Sequence, residues 1–193
     1  MYKILVTPNP SLLEKAEPII RFDNKLKKII AEMSATLDAT VDPIGVGLAA
    51  PQVGILKRIF LAKPKEKGQT FVFINPVIES ASNEKGIPSF KNSPKVEARK
   101  PAKSKGKLLE GCLSIPNIWG NVSRKNQIKI RFCDINGDEH VETFIGFPAI
   151  IIQHELDHLD GILFTKHVLE QKEQLYRSHK NAQGEDEFEE IEV

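Results

Sequence analysis

His154-Glu155-Leu156-Asp157-His158 sets two imidazoles four residues apart, with a carboxylate directly after the first. On an α-helix, residues i and i+4 lie one turn apart and about 40° apart around the axis, so both rings can face one ion. Glu155 is rotated by about 100° from His154. At the edge of that face its carboxylate can meet a metal-bound water without being a ligand. The competing account is a chance string on a helix whose histidines are hydrogen-bonded core residues. The surroundings favour the metal. Phe147, Ile150, Ile151, His154 and His158 form one stripe at helical spacing, and Ile152, Leu156, Leu159 and Leu163 form another. A helix apolar on two sides is buried, and histidines and acids inside a core are costly unless something satisfies them. Pro148 suits the first turn of this helix, and Gly161 is placed to end it.

Two histidines leave a zinc-like site one protein ligand short of the usual three plus water. The chain continues as HExxHxxG but carries Phe164 where a third histidine would complete a metzincin pattern. Glu170 and Glu173 remain as downstream candidates. The better candidate lies upstream, in Leu109-Glu110-Gly111-Cys112-Leu113-Ser114.

Three separated segments together resemble the three motifs of peptide deformylases. Gly45-Val46-Gly47-Leu48-Ala49-Ala50-Pro51-Gln52 is similar to GxGxAAxQ, Glu110 to Ser114 to EGCLS, and Gln153 to His158 to QHExDH, in the same order. The resemblance extends to Ile74-Asn75-Pro76 and Leu159-Asp160-Gly161, and fades between about Ala81 and Lys107 and beyond about His167. Beside the histidine helix, Cys112 becomes the expected third ligand, giving S, N, N and one open position for water. Cys133 lacks such company and reads as filler. The expected chemistry is amide hydrolysis, with metal-bound water as nucleophile and Glu155 as general base passing its proton to the departing amine. The resemblance implies an oxyanion hole made by the Gln52 side-chain amide and the backbone N–H of Leu113. It also implies a methionine pocket, for which Val46, Phe147, Ile150 and Ile151 supply apolar walls, while the backbone of Gly47 pairs with an extended substrate. The reaction so implied removes formate from the N-terminal formyl-methionine of new polypeptides. The ligand set suits Fe(II), Zn(II), Co(II) and Ni(II); the resemblance points to Fe(II) as native. Two other readings stay open: a zincin-like metallopeptidase in which Cys112 is structural, and a ribosome-binding protein with a vestigial site.

Composition bounds these readings. The 193 residues suit one domain with a real core. Formal net charge is +1, which excludes a whole-molecule field for nucleic acid. Apolar runs are too short for a membrane span or a signal peptide, and two cysteines make no disulfide framework. A reducing cytoplasmic setting and a monomer are expected. Charge is uneven, however. Lys85 to Lys107 carries eight Lys and Arg against the single acid Glu97, and reads as a loop that docks on ribosomal RNA phosphate. The last residues, Glu185, Asp186, Glu187, Glu189, Glu190 and Glu192, have no base among them. The expected organisation is a catalytic domain over 1–180 with a basic insertion at about 81–107, followed by a disordered acidic tail over 181–193.

The elements that must position the motifs can be read from period and turn chemistry. Asp23 or Asn24 caps a helix in which Leu26, Ile29, Ile30, Met33 and Leu37 recur on one face. Segments 57–63, 70–78 and 127–135 read as strands, and Asn136-Gly137 turns the last into a hairpin with 140–144. The order predicts an α+β fold, with mostly antiparallel sheets packed around a central HExxH helix.

Overall fold

The computed structural model describes residues 1–63, 69–86 and 109–192. The first helix, α1 (Asn24–Asp38), starts where Asp23 accepts a hydrogen bond from the Leu26 N–H at 3.0 Å. It buries Leu26, Ile30, Met33 and Leu37, the stripe that the 3.6-residue period defines.

Five strands form an antiparallel sheet in the order β1 (Gly47–Ala49), β2 (Ile59–Ala62), β3 (Phe71–Ala81), β8 (Gln127–Cys133) and β9 (Glu139–Ile145). Between β3 and β8 in the chain lie β4 (Lys85–Gly86), β5 (Glu110–Cys112), β6 (Ile115–Gly120) and β7 (Arg124–Lys125). The β8–β9 hairpin closes through Asn136-Gly137, with Cys133 opposite Glu139. One face of this sheet takes α1, through a cluster that includes Leu26, Met33, Leu48 and Ile74. The other takes α2 (Phe147–Leu159): Ala149, Ile151, Ile152, Leu156 and Leu159 pack into one core with Phe60, Phe73, Ile128 and Phe132. Their alternation along β8, with Ile128, Ile130 and Phe132 buried, follows from the two-residue period of a strand.

A second antiparallel sheet, four strands in the order β11-β10-β6-β5, uses β10 (Leu175–Lys180) and β11 (Asp186–Ile191). A short helix, α3 (Phe164–Glu170), packs against it through Phe164 and Val168. The α+β class with mostly antiparallel sheets is therefore present. Among the described residues no helix is long and apolar enough to cross a membrane.

Two expectations need correction. The acidic tail forms strand β11 over Asp186–Ile191 rather than a disordered segment. Its charges are matched across the turn instead of along the chain. Arg177 stands opposite Glu189, His179 opposite Glu187 and Lys180 opposite Asp186, while Leu175 and Ile191 form an apolar pair. The expected insertion at about 81–107 begins as regular structure, since Ala81 ends β3 and Lys85–Gly86 pairs with β7. Residues 87–107, which hold the rest of the basic run, lie outside the described residues.

Candidate metal centre

Helix α2 carries its last two turns into the space between the sheets. His154 and His158, one turn apart, meet Cys112 at the end of β5. One ligand-type atom from each of the three lies within 4.8 Å of the others, and all three residues are buried. The Cys112 Sγ is 3.2 Å from His158 Nε2, which is 3.2 Å from His154 Nε2. Among the described residues this is the cluster of three such groups that could hold an ion. Glu170 instead lies beside His167 and Lys166, away from the cluster, and the downstream-ligand reading finds no support there.

The donor set can be tested for fit. Glu110 Oε1 lies 2.6 Å from His154 Nδ1, so that nitrogen donates to the carboxylate and Nε2 is the ring atom aimed at the cluster. This is the outer arrangement by which carboxylates orient metal-binding imidazoles. Burial alone would pull the His154 pKa down, but the Glu110 carboxylate and Cys112 reverse this and raise it well above the ordinary value. His158 has no such support. Its Nδ1 is buried without a partner, and burial together with His154 pushes its pKa well below the ordinary value. Two N–H groups point at the Cys112 sulfur: the Ser114 backbone at 3.4 Å and the Gln52 side chain at 3.5 Å. A sulfur and two imidazole nitrogens aimed at one another in a buried space are the donor set that a soft divalent cation takes. The residues fit a metal.

Burial pushes the Glu155 carboxyl up to about 7. The side chain is 3% exposed and its Oε2 has no hydrogen-bond partner. Gly47 explains how it can sit there, because a methyl group on that residue would collide with the Glu155 carboxylate. The first motif therefore needs glycine for a close approach to Glu155. Gln52 lies in the 3-10 turn Ala50–Val53, and its Oε1 accepts from the Ala49 N–H at 2.8 Å. That bond aims the amide NH₂ at Cys112 and at Ser114 Oγ, 3.1 Å away.

The remaining expected residues divide. Val46 and Phe147 pack against the cluster that holds Ile151. Ile150 is buried but belongs to none of the core clusters. Leu113 sends its side chain to the α1 cluster and follows Cys112 directly in sequence.

The centre is held from behind by residues without a local sequence signal. Arg124 in β7 donates from Nε and Nη2 to Glu110 at 2.7 and 2.6 Å, and from Nη1 to Asp157 at 2.9 Å. Its side chain is 5% exposed. Burial would raise the Glu110 pKa, yet Arg124 first and His154 second hold it well below the usual carboxylate range. His167 Nε2 reaches Asp157 Oδ2 at 2.9 Å from α3. A buried acid in the second motif demands a cation, which was the available clue to Arg124. Nothing near Arg124 in the chain says which cation.

A family model described as Polypeptide deformylase matches residues 1–174. The chain belongs to the peptide deformylase family. That makes it a metallohydrolase of the class that removes formyl groups. A peptide deformylase of Rhodopirellula baltica is 36% identical over 171 residues, covering 87% of this chain and 73% of that one. Peptide deformylase 1 of Bacillus subtilis is 35% identical over 167 residues, covering 86% and 89%. Among solved structures, the peptide deformylase of Thermotoga maritima superposes with a TM-score of 0.71 at 34% identity, covering 86% of this chain and 97% of that one.

Proposed function

We propose that this deformylase acts on the N-terminal formyl-methionine of nascent peptides, with Cys112, His154 and His158 as its metal ligands, held at the centre of the fold by helix α2. The observation that carries the reading is the convergence of those three donors beside a buried carboxylate with a free oxygen. A divalent ion held there supplies a Lewis acid and a water of lowered pKa. Fe(II) is the proposed native ion, and Zn(II), Ni(II) and Co(II) suit the same donors.

Glu155 receives the water proton on its unpartnered oxygen and returns it to the leaving amine. A carboxyl pushed up to about 7 is matched to both halves of that transfer near neutral pH. Gln52, already oriented by Ala49, donates its amide N–H to the developing oxyanion together with the Leu113 backbone N–H. Strands β1 and β5 are both sheet edges, so the backbone at Gly47 has a free side on which an extended substrate can pair. Val46, Phe147, Ile150 and Ile151 form the proposed walls for the methionine side chain. The working form is a cytoplasmic monomer. The ribosome contact assigned to the basic run falls on residues 87–107, outside the described residues.

Formate release from a formyl-Met peptide, measured with metal content on the same anaerobically prepared sample, tests this reading. Glu155→Gln should keep about one equivalent of metal and lose turnover by roughly 10²–10⁴. Cys112→Ala should lose the metal. A Glu155→Gln enzyme with normal turnover, or a Cys112→Ala enzyme with full metal, would refute the assigned roles.

A further inference from the structure

The family match ends at residue 174, and the β10–β11 hairpin begins at Leu175. This hairpin is wedded to the strand that carries Cys112. Side chains alternate along β5, so Glu110 and Cys112 leave one face and Gly111 the other. Glu110 and Cys112 face α2, where they meet His154 and His158. Gly111 stands opposite Trp119 in the β5–β6 register, which breaks between Gly111 and Cys112. A Cβ on Gly111 would lie 2.6 Å from both Cε3 and Cζ3 of Trp119, so the six-membered ring of the indole occupies the space that a side chain there would need. An aromatic ring covering a strand glycine restores the packing that glycine lacks.

The hairpin fixes the plane of that ring. Trp119 Nε1–H donates to Ser178 Oγ in β10 at 3.0 Å, and Phe188 in β11 stands edge-on to the indole, centroids 6.0 Å apart at 74°. Ser178 and Phe188 are themselves register partners. From the other face, Leu175 and Ile191 join the apolar cluster that contains Cys112. Trp119 therefore presses on the backbone at the place where the register is irregular, between two side chains that serve the centre.

We propose that the C-terminal hairpin is a positioning element for the metal centre, in which Phe188 and Ser178 hold Trp119 against Gly111 and so fix where Cys112 and Glu110 point. Trp119 and Phe188 are positioning residues here. The cobalt arm of the test rests on the metal-ligand reading above; the thiol arm does not.

The full-length protein is compared as wild type, Phe188→Ala and Phe188→Tyr. Co(II) affinity is measured by competition with a chromophoric chelator, and iodoacetamide alkylation of Cys112 and Cys133 is followed in the metal-free protein. Cys133 lies on β8 in the other sheet and reports general loosening. Phe188→Ala should weaken Co(II) binding by about tenfold, the loss typical of an outer support. It should also raise the Cys112:Cys133 alkylation ratio, and Phe188→Tyr, which keeps the ring, should restore both. Wild-type affinity and ratio in Phe188→Ala would overturn the proposal. So would equal acceleration at both cysteines, which marks destabilisation without positioning. If wild type itself binds no Co(II), the ligand assignment fails, and the alkylation ratio alone decides the positioning role.

Discussion

In the five-stranded sheet, Phe60 stacks on Phe73 at a centroid separation of 4.6 Å and Phe132 tilts against it at 4.5 Å, inside a core of Ile, Ala and Leu. In the four-stranded sheet, the strand that matters most, β5, has three residues, one of them glycine, and an open edge. The first sheet is held by area removed from water, which is insensitive to the exact angle of any one side chain. The second reaches α2 through directed bonds made by Glu110, to His154 directly and to Asp157 by way of Arg124 on β7, and such bonds lose their value when geometry slips. The histidines ride on the first sheet and the cysteine on the second. The proposed metal centre thus joins a half held by apolar area to a half that depends on its supports.

The sharpest test of that contrast is Arg124→Met. It leaves Glu110 and Asp157 buried without their guanidinium, at a cost of about 3–5 kcal/mol, and should reduce metal affinity in the molecules that still fold. Denaturant unfolding of the metal-free protein, with chelator competition on the folded protein, reads both quantities. Loss of stability with wild-type metal affinity would show that the two halves need no polar link. Phe73→Ala should come next, at about 3–4 kcal/mol from lost contacts and a residual cavity. Because it lies in the half held by apolar area, metal affinity per folded molecule should stay unchanged, and a parallel fall in affinity would erase the distinction. The smallest effect is expected at Lys180→Ala. Its pair with Asp186 at 3.0 Å is half exposed on the lysine side, and such pairs contribute at most about 1 kcal/mol. A thermal shift clearly larger than that would mean the hairpin is held by charge rather than by Phe188 and Ile191.

The same contrast decides what could be read in the sequence. Helix α1 and the β8–β9 hairpin are legible because period and turn chemistry are local: Asp23 caps, and Asn136-Gly137 turns. The three motifs disclose Cys112, His154 and His158 because their chemistry is in their residue types. Arg124 and Trp119 are not legible, since each acts on a residue that only the fold brings near. Strand β11 was hidden for a related reason. Its acids look uncompensated along the chain, while the bases that face them lie across a turn, and cross-strand register is not a linear pattern.

Arg124 has a further consequence for how such a centre can change over generations. Its single guanidinium serves an acid two residues before the cysteine and an acid directly before the second histidine. Loss of Arg124 strands both acids at once, whereas loss of either acid leaves the guanidinium paired with the other. The arginine is therefore the member that cannot be the first to change, because its loss alone leaves two buried carboxylates without their cation. Lineages carrying the triplet should hold on to the arginine longest, while the apolar sheet beside it drifts among residues of similar volume.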